Sequence, residues 1–198
     1  MKNNPKRDLI LRAGSECFAR YGYDKTTLDD IGRRSGLNKA SLYYYFKNKD
    51  DIFAAVVLAD AQAFIADLKI KTQAFPDVRR QVRFYLTERI RRAPEVLHLT
   101  KLPADAWQNM EIQLDAAHGE IKTTELAFLT DLLKRGVASN AFSFSEPSAS
   151  ISECLYDLSD ALKHDVAYKA RRMQTKETDF SAAIERMEHV LKLILDRR

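Results

Sequence analysis

The chain of 198 residues is 45% hydrophobic and 30% charged, a composition that excludes a disordered tail. It has only six glycines and five prolines, which argues against a many-stranded β protein. Its net charge of +4 is unevenly distributed along the chain. Residues 1–49 hold eleven Lys and Arg against five Asp and Glu and therefore carry +6, which leaves −2 for the remainder. A basic head on a mildly acidic body is typical of a polyanion-binding module, although a solvated lysine-rich face has the same composition.

Two helices are predicted at the start of the chain. Asn4, which a proline follows, is a helix cap, and the apolar periodicity after it continues until Gly22 supplies a stop. Thr27 and Asp30 form a capping-box pair that begins a short second helix, and Gly36 ends that helix.

Two further helices complete the N-terminal part. Asn38 caps a short third helix in which Leu42 and Phe46 share one face and are expected to be core. Asn48 caps a long fourth helix whose first turn is acidic and which ends just before Pro76.

The rest of the chain also predicts helices, over residues 77–92, 104–135 and 149–172 and in a last segment that carries residues 184–195. A short helix is expected after Pro94, and Gly119 is a potential interruption of the long helix. Residues 140–150 predict a loop, because they are rich in Ser, Ala and Phe and contain a proline. The fold class is therefore all-α.

The two cysteines, Cys17 and Cys154, lie far apart in apolar periodic stretches, where neither has the close partner of a zinc site or redox pair. We expect buried thiols in a reducing cytosol, with an exposed oxidation sensor as the alternative. The basic start has no apolar run long enough for a signal peptide, and no segment approaches membrane-spanning length. The expectation is a cytoplasmic protein with no membrane partner.

The segment of residues 26–53 is the most informative part of the sequence. Two short helices joined through a glycine-containing turn are typical of a helix-turn-helix, whose second helix presents its first residues to base edges in the major groove. Tyr43, Tyr44 and Tyr45 project about 100° apart on a helix, so they cannot all be core. At least one is expected to be exposed, with its hydroxyl within reach of a phosphate or a base.

The region from Leu9 to Phe53 resembles the DNA-binding domain of the tetracycline-repressor (TetR) family of transcriptional regulators, over about a quarter of the chain. The matching residues are Phe18-Ala19-Arg20-Tyr21-Gly22, Thr26-Thr27, Ile31, Ser35-Gly36-Leu37, Ser41-Leu42-Tyr43-Tyr44-Tyr45-Phe46-Lys47-Asn48-Lys49 and Phe53. The resemblance implies an N-terminal three-helix helix-turn-helix domain in residues 1–48, joined to a larger helical domain in residues 49–198 for dimerisation and effector binding. The C-terminal part matches the family only in length and helical character.

The resemblance also implies which residues contact DNA. The bases would be read by Lys39, Ala40, Ser41 and Tyr43, and the phosphates would be bound by Thr27, Tyr44, Tyr45 and Lys49. The alternatives are a solvated lysine for Lys39, packing against the first helix for Tyr43, and a purely capping role for Thr27. Lys49 lies in the first turn of the fourth helix, which disfavours a cation unless an anion is near.

Members of the family dimerise through their last two helices, which makes their apolar stripes a candidate interface, with intrachain core as the alternative. The stripes consist of Ile151, Leu155, Leu158, Leu162, Ile184, Met187, Leu191 and Ile194. Relatives also hold a small molecule among their middle helices. Candidate lining residues here are Phe84, Tyr85, His98, Leu102, Trp107, Met110, Phe128 and Tyr156, each with core packing as its alternative.

The predicted function is a repressor that binds a palindromic operator in double-stranded DNA as a homodimer and is released by an unidentified small molecule. No cofactor and no metal are expected, because His98 and His118 have no partners at metal-ligand spacing. An enzyme is the first alternative, but no nucleophile elbow, phosphate-binding glycine loop or zinc-protease motif is present. A protein-interaction module that uses the same helices without DNA is the second alternative.

Overall fold

A computed structural model describes residues 4–93, 104–173 and 179–196, with side chains in those ranges except at 104–114, 117, 167, 170, 171 and 173. Those ranges contain eight helices and no strand, which confirms the all-α prediction. The helices are α1 (Pro5–Lys25), α2 (Leu28–Ser35), α3 (Lys39–Tyr45), α4 (Lys49–Gln73), α5 (Val78–Arg91), α6 (Ala104–Ala138), α7 (Ser148–Met173) and α8 (Ser181–Leu195). The short helix predicted after Pro94 lies outside the described residues.

The chain forms two compact units. The first consists of Met1–Ala63 with Leu97–Ile121, and the second of Phe64–Val96 with Lys122–Arg198. Helices α4 and α6 therefore contribute to both units. The functional boundary between residues 48 and 49 stays a prediction.

Local capping signals set the helix ends in the first unit. The Asn4 side chain accepts a hydrogen bond from the Arg7 amide at 3.4 Å, which confirms the predicted start of α1. Gly22 breaks the helical geometry with φ +79°, as predicted, but one further turn follows it and α1 ends at Lys25. The Thr26 hydroxyl then donates to the Gly22 carbonyl oxygen at 2.7 Å.

The two helices of the helix-turn-helix are capped as the sequence predicts. Thr27 and Asp30 form a complete capping box at the start of α2, and Gly36 ends that helix in the left-handed conformation with φ +70°. The Asn38 side chain accepts a hydrogen bond from the Ser41 amide at 2.8 Å. Because each cap joins residues three apart in sequence, the turn between α2 and α3 is fixed by local interactions.

The core of the first unit joins α1 to α2, α3 and α4. Its buried side chains are Ile10, Leu11, Ala13, Cys17, Phe18, Ile31, Leu42, Phe46, Ile52, Phe53, Ala54 and Val56. Gly14 allows α4 to approach α1 closely, because a Cβ atom at this position would lie 3.1 Å from Ile52 and 3.2 Å from Val56. The rings of Phe18 and Phe53 meet edge to face at 4.9 Å.

In the second unit, α5 packs against α7 and α8. The buried apolar residues of the second unit include Val82, Leu86, Ile90, Leu129, Leu132, Leu133, Leu155, Met187, Leu191 and Leu195. Helix α6 passes through Gly119 without a break, so the potential interruption at this glycine does not occur. The predicted loop is present, although α7 already begins at Ser148. Within the described part of the chain, no helix has both the length and the apolar character needed to cross a membrane.

Candidate nucleic-acid interface

Helix α3 has one buried face and one exposed face. Leu42 is buried, and Phe46 immediately after the helix is buried as well. Tyr43 and Tyr44 are exposed by 51% and 82%, whereas Tyr45 is half-buried and meets the Tyr44 ring edge to face at 4.9 Å. The expectation that at least one of the three tyrosines is exposed is confirmed, and the helix presents two of them to solvent.

The three remaining base-contact candidates begin α3. Lys39 and Ala40 are exposed and Ser41 is half-buried. The Lys39 ammonium lies 3.6 Å from the Asp29 carboxylate of α2. Sequence reasoning missed Asp29 as a neighbour of the recognition helix, because the approach of these two residues depends on the angle between α2 and α3.

Thr27 caps α2 in the chain without DNA. Its hydroxyl oxygen accepts a hydrogen bond from the Asp30 amide at 3.2 Å, and its own amide donates to the Asp30 carboxylate at 3.0 Å. The hydrogen bonds from Thr27 hold the pKa of Asp30 below its ordinary value. Thr27 is exposed, so a phosphate role beside the capping role stays a prediction.

Lys49 has an intramolecular partner. Its ammonium donates to the Tyr23 carbonyl oxygen at 2.9 Å and lies 4.1 Å from the centre of the Tyr23 ring. The Tyr23 hydroxyl in turn donates to Asp50. The end of α1 therefore stabilises a cation in the first turn of α4, and no external anion is needed to explain it. The phosphate contact by Lys49 stays a prediction.

The predicted ligand-pocket residues whose side chains the structure describes do not form a uniform apolar lining. Tyr85 and Tyr156 are fully buried, whereas Phe84 and Phe128 are half-buried. Tyr85 and Phe128 lie 5.0 Å apart, measured between ring centres. Two further candidates, His98 and Leu102, lie outside the described residues, as do the side chains of Trp107 and Met110 on α6.

A buried polar cluster, which we name the Arg89 cluster, lies beside these tyrosines and joins α5, α6 and α7. It consists of Tyr85, Arg89, Glu125, Tyr156, Ser159 and Asp160. Arg89 binds both carboxylate oxygens of Glu125, at 2.8 and 3.1 Å, and reaches Asp160 at 3.0 Å. The sequence offered one signal for this cluster, the charged Arg89 among the apolar positions of α5. Its partners could not be identified from the sequence, because they lie 36 and 71 residues away.

Charge compensation keeps Arg89 and Asp160 ionised within this cluster. Burial alone would lower the pKa of Arg89, but the charge and hydrogen bonds of Glu125 outweigh burial and raise the pKa above its ordinary value. Burial alone would raise the pKa of Asp160, but His164, Lys163 and Arg89 outweigh it and hold the pKa well below its ordinary value. The cluster therefore contains paired charges at neutral pH.

Part of the predicted dimer interface is wrong. Leu155, Met187 and Leu191 are at most 1% exposed in the single chain, so their side chains fill the intrachain core and have no surface to offer a partner. The half-buried members of the two stripes retain the interface prediction, and they are Ile151, Leu158, Leu162, Ile184 and Ile194.

The expectation of two buried thiols is correct for Cys17 and wrong for Cys154, which is exposed on α7. Burial raises the pKa of the Cys17 thiol, which makes its thiolate scarce. Among the described side chains, no group of three or more His, Cys, Asp or Glu residues is placed to hold a metal ion.

The capped helix pair, the buried Leu42 and the exposed tyrosines form a helix-turn-helix, an arrangement typical of DNA-binding proteins. Residues 10–56 match the family model described as "Bacterial regulatory proteins, tetR family". The HTH-type transcriptional repressor Rv1474c of Mycobacterium tuberculosis is 33% identical over 61 residues, which span 31% of this chain and only 33% of that relative.

Two comparisons extend over the whole chain. The uncharacterized HTH-type transcriptional regulator YfiR of Bacillus subtilis is 23% identical over 191 residues, covering 94% of this chain and 90% of the relative. A TetR-family transcriptional regulator from Agrobacterium tumefaciens shares the fold with a TM-score of 0.62 and 21% identity, over 96% of this chain and 97% of that one. The match to the TetR family model is therefore confined to residues 10–56, and over the rest of the chain the similarity to TetR-family regulators lies in the shared helical fold.

Proposed function

We propose that this regulator is a repressor, which binds a palindromic operator as a homodimer and leaves it when a small molecule binds the second unit. The observation that carries the proposal is the exposed face of α3, where Lys39, Tyr43 and Tyr44 project from a helix that Leu42 fixes to the core. Rigid support beneath exposed donors is the arrangement that base readout requires.

The charge of the head supports a polyanionic partner. Residues 1–49 carry +6, so binding to DNA releases counterions and is expected to weaken as salt increases. An operator-bound protein blocks polymerase without any additional contact surface, which favours repression over activation.

The dimer follows from the small size of the recognition surface. One helix-turn-helix contacts too few base pairs to select an operator, and two copies engage two half-sites. The half-buried Ile151, Leu158 and Ile194, with the exposed Tyr168 and Leu193, leave apolar surface on α7 and α8 for a second copy. Light scattering is expected to give twice the chain mass of 22.7 kDa.

The second unit is the proposed effector domain. Phe84 and Phe128 are the described candidates that retain side-chain surface for an apolar ligand. A ligand that binds the DNA-free form more tightly than the DNA-bound form shifts the equilibrium away from the operator.

Selection from a pool of random duplexes, followed by titration at low and high salt, tests the proposal. We expect a palindromic site and salt-sensitive affinity. Tyr43→Ala should relax the sequence preference, since it removes a base contact, whereas Tyr44→Phe should weaken binding to all sequences alike, since it removes a phosphate contact. Absence of salt-sensitive binding would favour the protein-interaction module instead.

A further inference from the structure

We propose that Asp29 and Lys39 together read one G·C base pair in each half-site, with Asp29 as a specificity-determining residue. The proposal rests on the proposed binding of operator DNA. It assigns a recognition role to a carboxylate of α2, outside the recognition helix itself.

The geometry places a donor and an acceptor side by side next to the proposed DNA-binding surface. The Lys39 Nζ and the Asp29 Oδ1 atoms are 3.6 Å apart, and the two side chains are 52% and 66% exposed. Lys39 is the first residue of α3, so its partner lies beside the end of the helix that enters the groove. An exposed ion pair of this kind contributes little to stability, which leaves both groups available for exchange with a ligand.

Asp29 takes no part in the capping hydrogen bonds of its own helix. The capping box of α2 uses Thr27 and Asp30, and Arg33 pairs with Asp30 at 2.6 Å. The carboxylate of Asp29 instead points to Lys39. A role in recognition therefore leaves the capping hydrogen bonds of α2 intact.

The chemistry of the pair matches one kind of base-pair edge. In the major groove, guanine presents two adjacent acceptors, N7 and O6, which suit an ammonium, and the paired cytosine presents the N4 amino donor, which suits a carboxylate. An A·T pair presents a donor between two acceptors and adds the thymine methyl group beside them. The Lys39–Asp29 arrangement therefore favours G·C over A·T.

The negative charge of Asp29 also explains why this residue would discriminate between base pairs. At 3.6 Å from Lys39, the carboxylate lies well within one Debye length, about 10 Å at 0.1 M salt, of any phosphate near the lysine. It repels every DNA sequence alike, and a hydrogen bond from cytosine N4 compensates only at the matching base pair.

The test compares Asp29→Asn with Asp24→Asn in the full chain. Asp24 is exposed in the same unit, so its replacement removes the same charge without touching Lys39. Each protein, together with Lys39→Ala, is used in selection from random duplexes. The selected duplex and its versions with single substituted base pairs are then titrated.

We expect the wild type to prefer G·C at one symmetric position by roughly 5- to 150-fold. Lys39→Ala identifies that position by losing the preference there. Asp29→Asn should lose it at the same position, while Asp24→Asn keeps it. Both Asn variants should bind unselected DNA more tightly by similar factors, because both remove one negative charge.

Retention of the full G·C preference by Asp29→Asn, or selection of A·T at the Lys39-dependent position, would overturn the inference but leave operator binding intact. Failure of the wild type to enrich any sequence would overturn the proposed function as well. Equal thermal unfolding midpoints for the wild type and both Asn variants exclude a loss of folding as the cause.

Discussion

Replacement of Arg89 by methionine is expected to lower the free energy of unfolding by about 3–5 kcal/mol. Arg89 is only 3% exposed and compensates the buried carboxylate of Glu125 and the half-buried carboxylate of Asp160. Removal of the guanidinium leaves Glu125, itself 4% exposed, without its counter-charge. Urea unfolding of the full chain, followed by circular dichroism, measures the loss.

Arg80→Met is the matched control, since Arg80 lies exposed on the same helix, and its effect should stay within about 0.5 kcal/mol. Addition of Glu125→Gln to Arg89→Met should recover part of the loss, because an amide carries no uncompensated charge. A loss below about 1 kcal/mol for Arg89→Met would show that the charges of the cluster are not buried as the structure has them.

The difference in stability between the wild type and Arg89→Met is expected to depend on pH. Because the pKa of Asp160 is lower in the folded chain than in the unfolded one, its ionised form stabilises the fold above the ordinary Asp pKa of about 3.9. That contribution is lost as the pH falls through the acid range toward the lower folded-state pKa. Arg89 supplies part of this lowering beside His164 and Lys163, so the stability difference between the wild type and Arg89→Met should shrink on acidification by the part that Arg89 supplies.

Leu42→Ala is expected to lower the free energy of unfolding of the first unit by about 2–5 kcal/mol. Leu42 is 1% exposed and joins α3 to the core, so the shortened side chain leaves a cavity beneath the recognition helix. Thermal and urea unfolding measure the loss. Specific DNA binding should fall too, because the exposed tyrosines lose their rigid support.

Tyr44→Ala, two residues away on the same helix, provides the contrast. Tyr44 is 82% exposed, so its removal should change stability by no more than about 0.5 kcal/mol while DNA affinity falls. Equal destabilisation by Leu42→Ala and Tyr44→Ala would contradict the assignment of one buried and one exposed face to α3.

The features that the sequence predicted correctly are those with short-range causes. Asn4, Asn38 and Asn48 each accept a hydrogen bond from an amide three residues ahead, at 3.4, 2.8 and 2.8 Å. The capping box at Thr27 and the left-handed Gly36 are local in the same way. The helix-turn-helix could therefore be identified from side-chain type and spacing, and the assignment of Leu42 and Phe46 to the core followed from helical periodicity.

Periodicity alone could not distinguish core from interface in the second unit. The stripes on α7 and α8 contain Leu155, Met187 and Leu191, which fill the intrachain core, beside Ile151 and Ile194, which keep exposed area. An apolar stripe shows only that one helix face avoids water. Which element covers that face depends on how the helices pack.

The sequence by itself determined the basic head, the capped helix pair and the helical class of the chain, because composition, caps and periodicity act over a few residues. Only the tertiary structure decided the partners of its charged groups. Lys49 donates to a carbonyl 26 residues away, and Arg89 binds carboxylates 36 and 71 residues away. Electrostatic interactions depend on distance in space, which the fold sets and the order of residues does not.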